Sequence, residues 1–264
     1  MARPLLTLLA ASAWVCVHAH PEIDEGLQRL NAAIAARPRD AGLLIERGEL
    51  YARHEDWISA EANYLRAAEL SPSHPRLPIA RGALELAAGR PREAIRLLDG
   101  FVTAHPGNVE ALVIRARARA LLPDRPGAAA DYTAALATSS QPYPELYLER
   151  AAVLEPAAAL LSLEEGMARL GPALVLQMRA VALEESLGRI DQAAARLDQI
   201  ASVSERKEGW LRRRGDLLAR AGRSQEARAT YAAALASLRT LPAWLQASPE
   251  VMRLAADLER LSTP

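Results

Sequence analysis

Few side chains in this sequence are of a type that does chemistry. There is one cysteine, Cys16, and there are five histidines: His18, His20, His54, His74 and His105. No two histidines have the close helical spacing that a metal site on one helix needs. Gly89 and Gly222 stand alone rather than in a Gly-rich phosphate loop. No nucleophile is set beside a base and no carboxylate pair is marked out, so neither an enzyme nor a cofactor is expected. Two features still invite a chemical reading. If residues 1–19 are removed, His20 becomes the N-terminus, followed by Pro21. A free α-amine beside an imidazole chelates Cu(II), which gives an alternative reading as an exported copper-binding or carrier protein. The second feature is a series of arginines spaced by 34, 34, 35, 29 and 35 residues: Arg47, Arg81, Arg115, Arg150, Arg179 and Arg214. A ladder of guanidinium groups can hold an anionic ligand. Alternatively, each stem is packed and each head is paired with a neighbouring carboxylate, and this structural reading is favoured. The acids near each arginine vary, so the pattern names no partners.

Any such side chains must be positioned by helices. Of 264 residues, 50% are apolar but only 4% aromatic, with a single Phe. A β-sandwich would want aromatic and β-branched residues, whereas Ala and Leu favour helix. The 32 basic and 32 acidic side chains balance, which argues against a charged disordered tail and against nucleic-acid binding through bulk positive charge. Only Lys207 among the basic residues is lysine, a bias that records a GC-rich genome rather than a binding function. The first nineteen residues read as a secretory signal: Arg3, then the apolar stretch from Leu5 to Val17, then small residues at Val17-His18-Ala19. That stretch is shorter than the roughly 20 apolar residues of a membrane span. Ala13-Trp14-Val15 before Cys16 is not a lipoprotein run. Cleavage would remove the only thiol and with it any disulfide, leaving an exported, soluble chain of net charge near −1 without a membrane span.

Four series share one register. Gly48, Gly82 and Ala116 are spaced by 34 residues, as are Ala60, Ala94 and Ala128, Pro38, Pro72 and Pro106, and Tyr64, Leu98 and Tyr132. The physical content is a helical hairpin. Small residues at the eighth and twentieth places let helices A and B approach closely. A large apolar residue at the twenty-fourth place and a small one at the twenty-seventh, as Tyr64 and Ala67, meet the next unit. Proline at the thirty-second stops helix B. No unit buries its apolar face alone, so stability comes from stacking.

This pattern resembles the tetratricopeptide repeat of exported bacterial proteins. The copy from Ala41 to His74 carries Leu44, Gly48, Tyr51, Ala60, Tyr64, Ala67 and Pro72 in the family's places, and the copy from Glu208 carries Leu211, Gly215, Leu218, Gly222, Ala227, Tyr231 and Ala234. The resemblance implies an all-α fold, a right-handed α-solenoid of stacked helix-turn-helix repeats. It divides the chain into a half repeat at 22–40, repeats at about 41–74, 75–108, 109–142, 144–172, 173–207 and 208–242, and a capping helix at about 249–261. Two middle units depart from the pattern. One keeps Tyr147 and Ala151 with a shortened turn at Glu155-Pro156. The other keeps Ala180, Gly188 and Ala193, with one extra residue before its turn. In the cap, Ser248-Pro249-Glu250 reads as a helix start, followed by Met252, Leu254, Leu258 and Leu261, and Trp244 is expected to cover the end of the array. Trp57 holds a turn place where the family favours an aromatic, and Trp210, flanked by charge, has no assigned role.

The resemblance implies that A helices line a concave groove binding peptides or helices of other proteins. Projected inward, these are Ile45, Glu46, Glu49 and Arg53, then Ile79, Ala83 and Leu86, then Val113 and Arg117, then Leu148, Glu149 and Gln177, and finally Arg212, Arg213 and Asp216. The centre is apolar and the ends charged. The family's chaperone-tail members clamp a terminal carboxylate with Lys and Asn, but Ile45 and Glu49 stand at the matching places here. The expected function is a non-catalytic protein-interaction scaffold in the cell envelope, with self-association as a further alternative.

Overall fold

The computed structural model describes residues 21–263, and every regular element among them is an α-helix. The expected secretory signal, Cys16, His18 and His20 lie outside the described residues. No described helix is long and apolar enough to cross a membrane.

The chain forms two compact units, one ending at Arg90 and one beginning at Pro91. The first contains α1 (Pro21–Ala36), α2 (Ala41–Arg53), α3 (Trp57–Leu70) and α4 (Arg76–Ala87). Asp40 starts α2 by accepting from the Gly42 and Leu43 amides at 3.0 and 3.3 Å, and Asp56 starts α3 by accepting from the Ser59 amide at 3.0 Å. Each cap satisfies amides that the first helical turn leaves without partners. The core of this unit gathers Leu44, Ile45, Ala60, Tyr64, Ala67, Leu77, Ala80 and Leu84, with Trp57 packed against it.

The second unit holds α5 (Pro91–Ala104), α6 (Val109–Ala120), α7 (Arg125–Thr138), α8 (Pro144–Val153), α9 (Pro156–Leu170), α10 (Leu174–Ser186), α11 (Ile190–Val203), α12 (Glu208–Arg220), α13 (Ser224–Arg239), the one-turn α14 (Ala243–Gln246) and α15 (Pro249–Ser262). Asn108 caps α6 and Asp124 caps α7 through the Ala111 and Gly127 amides, at 2.9 and 3.0 Å.

The small residues do what the spacing demands. A Cβ at Gly48 would stand 2.8 Å from Tyr64 Cδ1 and 3.1 Å from the Ala60 carbonyl oxygen. Ala94, Ala128 and Ala234 have no exposed surface at all. Burying the large partners, Tyr64, Tyr132 and Leu197 among them, contributes about 1.5–3 kcal/mol each. In the degenerate pair α8–α9 the contact is inverted: the small residue is Gly166 on the second helix, and it sits 2.7 Å, measured from an added Cβ, from Tyr147 Cγ on the first.

The turn geometry corrects one register. A left-handed residue stands at the fifteenth place of each of four units: Glu55 (φ 60°), Gly89 (φ 73°), Gly188 (φ 71°) and Gly222 (φ 78°). Counting back from Gly188 starts that unit at Leu174, which is also where α10 begins. No extra residue precedes its turn, and Arg179 falls at the sixth place rather than the seventh.

The C-terminal end also differs in detail. Ser248 caps α15 through the Val251 amide at 3.4 Å, and Val251, Leu254, Leu258 and Leu261 pack onto the Ala227–Tyr231–Leu238 cluster of α13. Val251 takes the place expected for Met252, which is 59% exposed. Trp244 does not cover the end: it is 73% exposed on α14, and α15 does the covering. Trp210 finds its role as a partly buried neighbour of the Val181–Leu197–Leu217 cluster.

Candidate functional site

The arginine series resolves into a structural device at four of its six positions. Arg47 Nε donates to Asn63 sixteen residues ahead at 2.8 Å, and its Nη1 donates to Asn31 sixteen residues behind at 2.7 Å. Arg115 does the same with Asp131 at 2.9 and 2.7 Å and Asp99 at 2.9 Å. Arg214 reaches Asp198 at 2.9 Å and Thr230 at 2.5 Å. Each guanidinium therefore joins the B helix of its own hairpin to the B helix before it, using the fork of donors that arginine offers. Arg150, with its shortened turn, takes Ser162 at 2.8 Å and Glu165 at 2.5 Å, and its Cζ lies 5.5 Å from the centre of the Tyr147 ring.

The other two do not belong to this device. Arg81 has Leu65 and Leu97 at the two flanking positions in sequence, neither able to accept. Arg179, at the sixth place, is exposed and forms no hydrogen bond or ion pair among the described residues. In its hairpin the polarity reverses: Glu184 on α10 is buried, and Arg196 on α11 donates to both its carboxylate oxygens, with Glu164 at 3.5 Å on the other side.

The expected groove residues divide by burial. Ile45, Ile79 and Val113 are 1%, 4% and 5% exposed: these three expected groove residues are core, not surface. Gln177 is buried as well, its amide donating to the Pro172 carbonyl at 2.9 Å. For Ile45, Ile79 and Val113 the cause is the fifth place itself, which faces the neighbouring helices; Gln177, counted from Leu174, stands at the fourth. Ala83, Leu86 and Leu148 are half-buried.

Five of the eight expected charges have ionic partners, four of them each other. Arg117 on α6 forms a two-pronged pair with Glu149 on α8, at 2.9 and 2.8 Å. Glu49 accepts from Arg76 at 2.7 Å. Arg212 lies 3.4 Å from Asp257 and 4.0 Å from Asp216, and Asp216 also accepts the Tyr231 hydroxyl at 2.8 Å. Burial and this contact with Asp216 push the Tyr231 phenol up to about 12. Glu46, Arg53 and Arg213 are exposed and form no hydrogen bond or ion pair among the described residues.

Each unit carries a cleft against its A-helix face. In the first, about 340 Å³ is bounded by Arg29 and Leu30 of α1 and by Glu46, Glu49 and Arg53 of α2. In the second, about 390 Å³ lies along Gly209, Arg212, Arg213, Asp216 and Arg220 of α12. The sixth, ninth and thirteenth places line both. The sequence does not mark Arg220, and its spacing places Arg179 in the arginine series at the seventh place rather than at the sixth. The repeat of a left-handed residue at the fifteenth place is the signal that finds Arg179.

No group of three or more metal-ligating side chains exists among the described residues. His74 Nδ1 accepts from the Arg76 amide at 3.3 Å, and the His105 ring lies against Phe101 with centroids 4.5 Å apart.

A comparison with curated proteins finds no match. Solved structures show the same fold at low identity. A tetratricopeptide repeat protein from Parabacteroides merdae superposes with TM-score 0.53 and 17% identity, over 92% of this chain and 93% of that one. PilW, described as a widely conserved type IV pilus biogenesis factor, gives TM-score 0.59 and 16% identity over 72% of this chain and 90% of its own. A chain of the Naa15/Naa10 assembly bound to HypK-THB gives TM-score 0.54 and 15% identity over 92% of this chain, which spans only 39% of that one. The tetratricopeptide repeat profile matches residues 22–75, 79–144 and 182–242, more than half of the sequence. With its 34-residue hairpins and their small-residue contacts, the chain belongs to the tetratricopeptide repeat family.

Proposed function

We propose that this chain is a non-catalytic scaffold that holds a segment of a partner protein against its A helices, in the cell envelope. The family's fold supports protein–protein interaction as the general role. What carries the choice of face is the pair of clefts on equivalent places of α2 and α12, with Glu46, Arg53 and Arg213 exposed beside them and forming no hydrogen bond or ion pair among the described residues. Exposed charges at the edge of a cleft can orient a partner of complementary charge. The export half of the reading is supported by Arg3, the apolar stretch ending at Val17 and the small residues before His20.

A photo-crosslinking amino acid placed at residue 46 or 213 should give a discrete adduct in intact cells, while the same group at Ile58, 85% exposed on α3, should not. Adducts only from residue 58 would place the interaction on the other face. Mass spectrometry of the purified chain should find His20 first, and an intact Met1 in cytosolic extract would remove the envelope assignment.

A further inference from the structure

The first and last long helices are unlike halves of one repeat. α1 is a helix B without its helix A: counted 34 residues back from α3, Gly26 matches Ala60, Arg29 matches Asn63 and Leu30 matches Tyr64. α15 is a helix A without its helix B. Like α8, α10 and α12 it begins at the first place, so Val251 and Leu258 hold the third and tenth. Both are buried in the α13 cluster, and the same places in α10, Leu176 and Leu183, are buried too. Met252 then holds the fourth place and Ala256 the eighth, where the first complete hairpin buries Leu44 and Gly48. On α15 both are exposed, Met252 at 59%, because no helix B follows to cover them.

The matching side of α1 is open as well. Gly26, Arg29 and Leu30 line the cleft of the first unit. In the complete hairpin these places face helix A: Ala60 and Tyr64 lie against Gly48, and Asn63 accepts from Arg47. The charges correspond too. In two complete units the eleventh place of helix A pairs with the twenty-third of helix B: Arg119 with Asp131 at 3.0 Å and, in reversed polarity, Glu184 with Arg196 at 2.5 Å. α15 has Glu259 at its eleventh place, exposed and 3.9 Å from Arg239. α1 has Arg29 at the twenty-third, exposed and forming no hydrogen bond or ion pair among the described residues.

We infer that α15 of one chain seats on α1 of a second copy, so that two half units from two chains complete one repeat. Ala256 then lies over Gly26 and Leu30 as Gly48 lies over Ala60 and Tyr64, Met252 is covered, and Glu259 meets Arg29. Repeat arrays are stabilised by contacts between neighbouring units, and the joint extends that contact from chain to chain. It uses a different surface on each partner, so copies add head to tail and stop only where a ring closes. The inference goes beyond the scaffold reading and does not depend on it, because the joint leaves the α12 cleft to the partner.

The test is sedimentation velocity of the purified chain over a concentration series, with Ala256→Arg, Arg29→Glu and Glu259→Arg alongside. The parent mass should rise with concentration through multiples of one chain. Ala256→Arg should weaken association at least tenfold, because its side chain would fill the space over Gly26. Arg29→Glu and Glu259→Arg should each weaken it severalfold, by setting like charges face to face. An equal mixture of those two variants should recover growth, since each joint between them again holds one acid and one base. All three positions are exposed, so every variant should melt within a few degrees of the parent. A parent mass of one chain at every concentration would overturn the inference, and so would growth that Ala256→Arg leaves intact. A photo-crosslinking group at residue 29 that captures a different protein and never a second copy would give the seat to a partner's helix instead. The scaffold reading survives each of these results, since the adduct at residue 213 tests it separately.

Discussion

Gly215 of α12 and Tyr231 of α13 are in such close contact that a Cβ on residue 215 would lie 2.6 Å from Tyr231 Cδ1. The ring cannot retreat, because it is packed with Leu218, Ala227 and Ala234 and its hydroxyl is tied to Asp216 at 2.8 Å. Gly215→Ala should therefore destabilise by about 1–3 kcal/mol through overpacking. Gly209→Ala on the same helix meets open space and should be neutral or stabilising by up to about 1 kcal/mol. Urea melts of both variants decide the matter, and equal midpoints would mean the pair is looser than described.

Ala227 tests the other half of the same contact. It is 2% exposed at the twentieth place, where α12 and α13 approach. Ala227→Arg should cost about 1–3 kcal/mol for the added volume, and more if the guanidinium is held away from water. An unchanged melting temperature would show that the hairpin opens there without penalty.

Glu55 offers a change in the opposite direction. It holds φ 60° at the turn place where three other units carry glycine, and a left-handed backbone costs an L-residue roughly 1–2 kcal/mol. Part of that returns as the chain entropy glycine loses on folding. Glu55→Gly should thus raise stability by about 0.5–1 kcal/mol, and Gly222→Glu should lower it by a similar amount. Thermal melts giving the same sign for both would contradict the turn assignment.

The two kinds of arginine should behave differently. Arg115 is nearly buried between Asp131 and Asp99, and Asp131 has almost no exposure of its own. Removing one partner of a buried pair costs about 3–5 kcal/mol. Arg119 still reaches Asp131 at 3.0 Å, so Arg115→Leu should lose roughly 2–3 kcal/mol. Arg179→Ala should stay within about 0.5 kcal/mol of the parent, as surface changes do. If both variants melted alike, the staple would be an ornament of the surface.

These contrasts show what the sequence could and could not say. Gly48, Ala60 and Tyr64 announced the hairpin because close approach demands small residues at fixed spacing, a constraint that side-chain types express directly. Arg179 was misplaced because one residue of register is invisible where Ala180 and Val181 are both small enough to be packed. Backbone φ at Gly188 settles it. Ile45, Ile79 and Val113 looked like groove lining because helical projection gives a direction, whereas burial depends on how near the next helix comes. The staples of Arg47, Arg115 and Arg214 were hidden for a related reason. Their acceptors sit sixteen residues away on either side and vary among Asn, Asp and Thr.

Alkaline pH should loosen the fold through the same tyrosines that pack it. Burial pushes the Tyr64 and Tyr132 phenols well above the usual range, and burial together with Asp216 pushes Tyr231 up to about 12. In the unfolded chain these groups release their protons near 10. Between about pH 10 and 12 the folded state therefore binds more protons than the unfolded one, and stability falls as pH rises. Below pH 10 both states are protonated and the contribution is constant. For one group the slope is at most about 1.4 kcal/mol per pH unit. Urea midpoints measured from pH 8 to pH 11.5 should be level and then decline, and Tyr231→Phe should decline less steeply than the parent. A parent curve that stays level through pH 11.5 would mean that the phenols ionise without leaving their packed positions.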